Sequence, residues 1–230
     1  MRLRFLVLLT AALVLGTAPT WASNINFAFG NCATITSSYT GSCPGNLKTD
    51  TATYSVTVGA NTYSITATGY INSTTTRDLF VKNDGPSEYG LGLNSTSDNE
   101  INYGQYIYLD FSNLASQGIL SGTIGLGSVQ SGEEGQICTA TAVGTPGTVC
   151  TTVGDSGGDL GSLAVTWTSA DPFFDITVPK NKGNVLVLSD LSVTPVSTTP
   201  EPASVALFGT GLLALAFFVK RFHTADESAS

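Results

Sequence analysis

The segment Gly-Asp-Ser-Gly-Gly at residues 154–158 could present a nucleophile, because Ser156 lies in a short turn-forming stretch. A serine hydroxyl is a poor nucleophile at neutral pH and needs a positioned base, usually a histidine. The only histidine in the sequence is His223, which follows an apolar segment at 203–219. We therefore interpret 154–158 as a loop between strands, where glycine, aspartate and serine are common. No catalytic residue is predicted.

The same pentapeptide resembles the nucleophile segment of trypsin-like serine proteases. In that family the histidine precedes the serine in the chain, whereas His223 follows Ser156 here. The resemblance is confined to these five residues, and no histidine precedes Ser156 to act as the base. We therefore expect a non-enzymatic protein.

Carboxylates near predicted strand ends are the candidates for a metal site. Asp98, Glu100 and Asp110 lie close together in the sequence, and calcium prefers oxygen ligands of this kind. The EF-hand loop pattern is absent from the sequence. We expect no cofactor, and calcium at these three residues is kept as the alternative to solvated loop acids.

Aromatic residues on two predicted strands are the candidates for a glycan surface. Tyr106 and Tyr108 alternate with aliphatic neighbours, and Trp167 lies on a later strand. Successive side chains of a strand point to opposite faces. If the aliphatic face is buried, both tyrosines are exposed and can stack on sugar rings; otherwise they fill the core.

The middle of the chain, residues 23–197, is predicted to form one all-β domain, a β-sandwich or jelly roll. Short stretches rich in β-branched and aromatic residues alternate with Gly, Asn, Asp and Ser clusters, which is typical of such domains. Threonine-rich positions are interpreted as the polar faces of exported strands. The predicted strands are 24–29, 51–58, 62–70, 78–82, 105–112, 122–130, 136–143, 162–169, 173–178 and 184–196.

Four cysteines lie in this predicted domain: Cys32, Cys43, Cys138 and Cys150. An even number in an exported chain indicates disulfides, and three pairings are compatible with the count. We favour Cys32–Cys43 and Cys138–Cys150, because each closes a short loop rich in turn residues. Metal binding is the alternative, but the domain has neither CxxC spacing nor histidine.

The charge balance narrows the classes of partner. The chain has 230 residues, of which 11% are charged, and its net charge is −8. An acidic domain has no electrostatic attraction to a phosphate backbone, so no nucleic-acid partner is expected.

The N-terminus has the pattern of a secretory signal peptide at residues 1–22. Arg2 and Arg4 precede an apolar run at 5–16, and small residues lead to a predicted cut between Ala22 and Ser23. The run is short for a bilayer-spanning helix. We therefore expect export followed by cleavage.

The C-terminus has a separate pattern. Pro200-Glu201-Pro202 breaks regular structure, and residues 203–219 contain no charged side chain. As a helix this segment is about 25 Å long, near the lower limit for a transmembrane span. Lys220 and Arg221 follow directly, which predicts a cytoplasmic tail at 223–230 and a main domain outside.

The order of sequence features over residues 198–222 resembles the PEP-CTERM sorting signal. That signal consists of a Pro-Glu-Pro triplet, a glycine-containing apolar helix and a cluster of basic residues. The resemblance implies recognition by exosortase, a transpeptidase-like enzyme in the inner membrane of Gram-negative bacteria that make exopolysaccharide. It implies a membrane-anchored precursor that is then delivered to the cell surface or matrix. The same tail occurs on some proteins described as ice-binding. The family usually ends soon after its basic cluster, whereas this chain continues to Ser230.

Together these patterns predict an exported surface or matrix protein with a structural or adhesive role. Its predicted partners are exosortase, the inner membrane and exopolysaccharide. The alternatives are a carbohydrate-binding module for exopolysaccharide and, third, a secreted hydrolase.

Overall fold

The computed structural model describes residues 24–85, 88–94, 98–182 and 187–193. They belong to a compact unit that extends from Ala22 to Val196. No helix among the described residues is long and apolar enough to cross a membrane. The predicted signal peptide with its cut at Ala22 and Ser23, the sorting signal at 198–222 and the tail at 223–230 lie outside the described residues.

Strands dominate the described part of the chain. A single short helix is found there, α1 (Ser112–Ser116), together with a 3-10 turn at Cys32–Thr34. The strands are β1 (Ile25–Ala28), β2 (Gly45–Asn46), β3 (Thr51–Val58), β4 (Asn61–Tyr70), β5 (Leu79–Asn83), β6 (Tyr89–Leu93), β7 (Tyr106–Asp110), β8 (Ser121–Gly127), β9 (Glu134–Ala140), β10 (Val149–Gly154), β11 (Gly161–Thr166), β12 (Phe173–Thr177) and β13 (Val187–Val193).

The strands form two antiparallel sheets. Sheet A has the order β11-β8-β13-β6-β5-β2, and β1 pairs with the end of β13. Sheet B has the order β10-β9-β12-β7-β4-β3. Because β7 lies between β4 and β12, a residue at the middle of β7 has neighbours on both sides in sheet B.

One hydrophobic core is shared by both sheets. Leu79 and Val81 of sheet A and Ile65 and Ala67 of sheet B are fully buried members of it. These residues alternate with more exposed positions on β4 and β5, as expected when one face of each strand is buried. The prediction of an all-β domain is confirmed, and its architecture is two sheets around one core. The jelly-roll variant stays a prediction.

Both favoured disulfides are present. Cys32 and Cys43 are joined, and so are Cys138 and Cys150, with Cα–Cα distances of 5.7 and 4.0 Å. The second disulfide links directly opposite residues of β9 and β10. It therefore fixes both ends of the connecting segment 141–148.

Four elements were not predicted: β2, β6, β10 and α1. Two of the five residues of β6 are glycines, and glycine is depleted in strands because it has no side chain to pack. Strand β10 includes Gly154, so the Gly-Asp-Ser-Gly-Gly segment begins inside a strand. Helix α1 has five residues and is too short to show a helical period in the sequence. It is held against β4 by a hydrogen bond of 2.8 Å, which the Ser64 backbone N–H donates to Asn113 Oδ1.

Candidate functional site

The outer face of sheet B carries a buried acidic site on β7, β12 and β9. Tyr108 of β7 lies opposite Asp175 of β12, which lies opposite Cys138 of β9. Ile107 and Leu109, the neighbours of Tyr108 along β7, belong to the core. Tyr108 and Asp175 therefore project from the other face of the sheet, where solvent would be expected.

The segment 141–148 covers this face. The Gly147 backbone N–H donates a hydrogen bond to Asp175 Oδ1 at 2.9 Å. A Cβ at Gly147 would lie 2.5 Å from the Thr139 carbonyl oxygen and 2.6 Å from Asp175 Oδ1, so only glycine allows this approach. Tyr108 is 0% exposed and Asp175 is 1% exposed as a result.

Burial controls the electrostatics of this site. Desolvation raises the pKa of Asp175 to about 6, although the hydrogen bond from Gly147 favours the charged form. Desolvation also raises the pKa of Tyr108, and the nearby Asp175 charge adds to it. Asp175 Oδ2 and the Tyr108 hydroxyl have no hydrogen-bond partner among the described residues. Asp175 therefore exchanges its proton around pH 6, beneath a closed loop.

The predicted glycan-binding aromatics do not form an exposed surface. Tyr108 is fully buried, and Trp167 is 4% exposed and lies with its ring centroid 4.7 Å from that of Phe111. Tyr106 is half-buried beside Tyr108. The inference that burial of the aliphatic face leaves Tyr108 exposed is wrong, because segment 141–148 covers the opposite face. Of the described aromatics, Tyr103 is the one with a largely exposed ring, at 58%.

The predicted calcium residues have other partners. Glu100 is buried, forms an ion pair with Lys82 and accepts a hydrogen bond from the Ser128 hydroxyl at 3.0 Å. Asp110 accepts a hydrogen bond from the Ser112 backbone N–H at 2.8 Å, at the start of α1. Asp98 precedes Glu100 in the same loop. In the described ranges, no three His, Cys, Asp or Glu side chains cluster in a way that could hold a metal ion.

Lys82 is the centre of a second buried polar cluster, on the outer face of sheet A. Its ammonium contacts Glu100 and lies 2.8 Å from Glu88 Oε2. Burial lowers the pKa of Lys82, but the two carboxylates outweigh burial and raise it above its ordinary value. Burial raises the pKa of Glu100, and the contacts with Lys82 and Ser128 reduce this increase. Sequence reasoning missed this cluster, and the glycines of β6 opposite it were the available signal.

Ser156 lies in the turn that follows β10. Its hydroxyl donates a hydrogen bond to the Leu160 carbonyl oxygen at 2.8 Å, and Asp155 Oδ1 accepts one from the Gly157 backbone N–H at 2.7 Å. Residues 155–160 form a loop stabilised by its own polar groups, as predicted.

A regular row of hydroxyls lies on the hairpin of β3 and β4. Cross-strand register pairs Thr51 with Thr68, Thr53 with Thr66, Ser55 with Ser64 and Thr57 with Thr62. We call these eight residues the hydroxyl ladder. Three of its rungs are hydrogen bonded at 3.1–3.3 Å. The ladder is most exposed at Thr57 and Thr62.

Comparison with known proteins gives one match. Residues 198–221 match the PEP-CTERM protein-sorting motif. This stretch includes Pro200, Glu201, Pro202, Lys220 and Arg221, and the resemblance noted in the sequence is confirmed. The motif indicates an exported protein that exosortase processes at the membrane. No curated protein and no solved structure matches the chain.

Proposed function

We propose that this chain is a structural or adhesive protein of the cell surface or extracellular polymer matrix, delivered there by exosortase. The match of residues 198–221 to the PEP-CTERM protein-sorting motif carries the proposal. In this reading the chain is a substrate of exosortase and performs no catalysis of its own. Its host would be a Gram-negative bacterium that secretes exopolysaccharide.

The chemistry of the C-terminus supports a temporary membrane anchor. Residues 203–219 contain no charged side chain and have the length to enter a bilayer, and Lys220 and Arg221 would hold the far end in the cytoplasm. The preceding Pro200-Glu201-Pro202 has a sequence that disfavours a helix, which would suit recognition of an extended segment by exosortase.

The construction of the described domain supports a passive role outside the cell. Two disulfides close its loops, which is typical of proteins in oxidising compartments. The whole chain contains few charged residues, 11% of the total. The disulfides stabilise an exported domain, and neither feature specifies a reaction.

The test is the mass and location of the protein in its own host. We expect the wild-type chain outside the cell with a new C-terminus near residues 200–202. Glu201→Gln removes the charge of the triplet at constant size, and we expect a full-length precursor in the membrane fraction. Glu227→Gln makes the same change outside the matched motif and should be sorted normally. Normal surface delivery of Glu201→Gln would overturn the proposal.

Binding to exopolysaccharide is the second candidate function, and the hydroxyl ladder favours it over the predicted aromatics. Threonine hydroxyls at regular cross-strand spacing can hydrogen bond to successive sugar hydroxyls. Replacing Thr57 and Thr62 by valine removes the most exposed rung at nearly constant volume. If the ladder binds, retention of the full chain on host exopolysaccharide should fall roughly tenfold.

A matched control replaces Thr151 and Thr152 of β10 by valine, since both are exposed on the other edge of sheet B. Equal retention of all three proteins, or no retention of the wild type, would remove this second candidate.

A further inference from the structure

The cluster around Lys82 brings an amine and two carboxyl groups together away from solvent. The side chains of Lys82 and Glu100 are 9% and 2% exposed and in direct contact, whereas Glu88 is 33% exposed. Lys82 belongs to β5, Glu88 immediately precedes β6, and Glu100 lies in the loop before β7. The fold therefore joins three separate segments at one point.

The glycines of β6 make this contact possible. Lys82 pairs with Gly90 across the ladder, and a Cβ at Gly92 would overlap the Asn99 carbonyl oxygen. Without side chains at these positions, the backbone before β7 lies directly on the sheet. Glu100 is consequently held over Lys82 on the outer face of sheet A.

The two oxygens of Glu100 have different surroundings. Oε1 contacts Lys82 and accepts the hydrogen bond from the Ser128 hydroxyl at 3.0 Å. Oε2 is buried and has no hydrogen-bond partner among the described residues. An unpaired buried oxygen is costly as part of an anion and much less costly as part of a neutral acid. The surroundings thus favour a carboxylic acid with its proton on Oε2.

We propose that Lys82 and Glu100 condense spontaneously to form an intramolecular isopeptide bond that staples β5 to the loop before β7. The ion pair and the neutral amine–acid pair contain the same number of protons, so the reactive form needs only a proton transfer within the cluster. Burial opposes the two charges, so the neutral pair is the minor but accessible form even though the two carboxylates raise the pKa of Lys82. Contact between the reacting groups supplies the proximity that makes an intramolecular reaction fast. This inference does not depend on the proposed sorting function.

The reaction balances without an oxidant or a co-reactant. The lone pair of Lys82 Nζ attacks Glu100 Cδ, and the developing negative charge on Oε1 is stabilised by the Ser128 hydroxyl. The Cδ–Oε2 bond then breaks as the carbonyl re-forms on Oε1. The nitrogen loses one proton, which leaves with Oε2 as water, and the amide keeps one hydrogen on Nζ.

Glu88 is suited to carry that proton. Its Oε2 lies 2.8 Å from Lys82 Nζ, within hydrogen-bond reach, so it can accept the proton and return it to the departing oxygen. Glu88 is regenerated unchanged. It is not the favoured acylating group itself, because one third of its side chain is exposed and its carboxylate stays hydrated.

The chain provides an internal comparison in the pair formed by Lys182 and Glu134. Their charged atoms are 2.7 Å apart, but their side chains are 42% and 31% exposed. The groups are chemically identical to Lys82 and Glu100 but remain in contact with water. This pair should remain an ion pair.

Trypsin digestion of the full chain, denatured and reduced, tests the bond. Trypsin cuts after lysine only when the side chain is free, and the basic residues around the cluster are Arg77, Lys82 and Lys180. An amide at Lys82 blocks the cut, so we expect one peptide covering 78–180 that is one water lighter than its sequence. A free Lys82 releases the pentapeptide 78–82.

Two variants make the outcome decisive. Lys82→Arg keeps a buried cation for Glu100 but cannot form this amide, and it should release 78–82 completely. Glu88→Gln keeps Lys82 and Glu100 while removing the proton carrier, and it should accumulate the joined peptide more slowly after synthesis. Cleavage after Lys182 serves as the control for an unmodified lysine in the same digest. Complete release of 78–82 from folded wild-type protein that has formed both disulfides would overturn the proposal.

Discussion

Each sheet buries a charged side chain on its outer face beneath a covering segment, but the two regions neutralise that charge differently. In sheet A, Lys82 lies under the loop that carries Glu100 and is paired with two carboxylates. In sheet B, Asp175 lies under segment 141–148 and accepts a hydrogen bond from a backbone N–H, and no described cation contributes to its pKa shift. In the Lys82 region the buried charge is compensated by opposite charges. In the Asp175 region a raised pKa favours the uncharged form instead.

Because of this difference, the stability of the two regions should respond to different changes. A buried ion pair is damaged most when one partner is removed, because the remaining charge has no compensation. A buried lone carboxyl avoids its charge by keeping a proton, so its energetic effect follows pH. We therefore expect the Lys82 region to respond to mutation and the Asp175 region to respond to pH.

Lys82→Met should have the largest effect on the free energy of unfolding. It leaves Glu100 buried without a cation, and relative to Lys82→Arg, which keeps the cation but also cannot form the proposed amide, we expect a loss of about 3–5 kcal/mol at neutral pH. The loss should be smaller near pH 4, where Glu100 can take up a proton. Urea unfolding at both pH values measures this, and a neutral-pH loss below about 1 kcal/mol would contradict the account of this region.

Asp175→Asn should change the pH dependence of stability. The folded-state pKa of Asp175 is raised from 3.8 to about 6, so its contribution to stability is complete below about pH 3.8 and disappears as pH rises through about 6. Between pH 4 and pH 7 the wild type should therefore lose about 2 kcal/mol relative to the variant. Parallel profiles of the two proteins would show that Asp175 is not protonated in the folded state.

Lys182→Met should have the smallest effect and is the matched control for Lys82→Met. Lys182 also forms a close ion pair, but both partners are substantially exposed. We expect a loss below about 1 kcal/mol, reduced further by salt. If this variant loses as much stability as Lys82→Met, burial is not what distinguishes the two pairs.

Local patterns predicted much of the described domain. Strands at 51–58 and 62–70 were predicted from their residue pattern, and the structure has β3 at Thr51–Val58 and β4 at Asn61–Tyr70. The pairings of Cys32 with Cys43 and of Cys138 with Cys150 were also predicted, because short loops favour them. These features depend on neighbours in the sequence, so the sequence alone can favour them.

Burial of the outer faces could not be predicted in the same way. Alternation on β7 correctly separates Ile107 and Leu109 from Tyr106 and Tyr108, yet it cannot show that a second layer covers Tyr108. That layer comes from residues 141–148, far along the chain. Trp167 was likewise assigned to a candidate surface, whereas its contact with Phe111 places it in the core.

Strand alternation and a short linear signal are local properties, so the β class and the sorting motif at 198–221 could be recognised in the sequence, and short loops favoured the observed one of three cysteine pairings. The tertiary structure determines which polar residues are buried away from solvent. Gly92 and Gly147 let distant backbone segments approach the sheets, and this brought Glu100 to Lys82 and closed 141–148 over Asp175. Desolvation depends on every atom that surrounds a group, so it becomes visible only when the chain is folded.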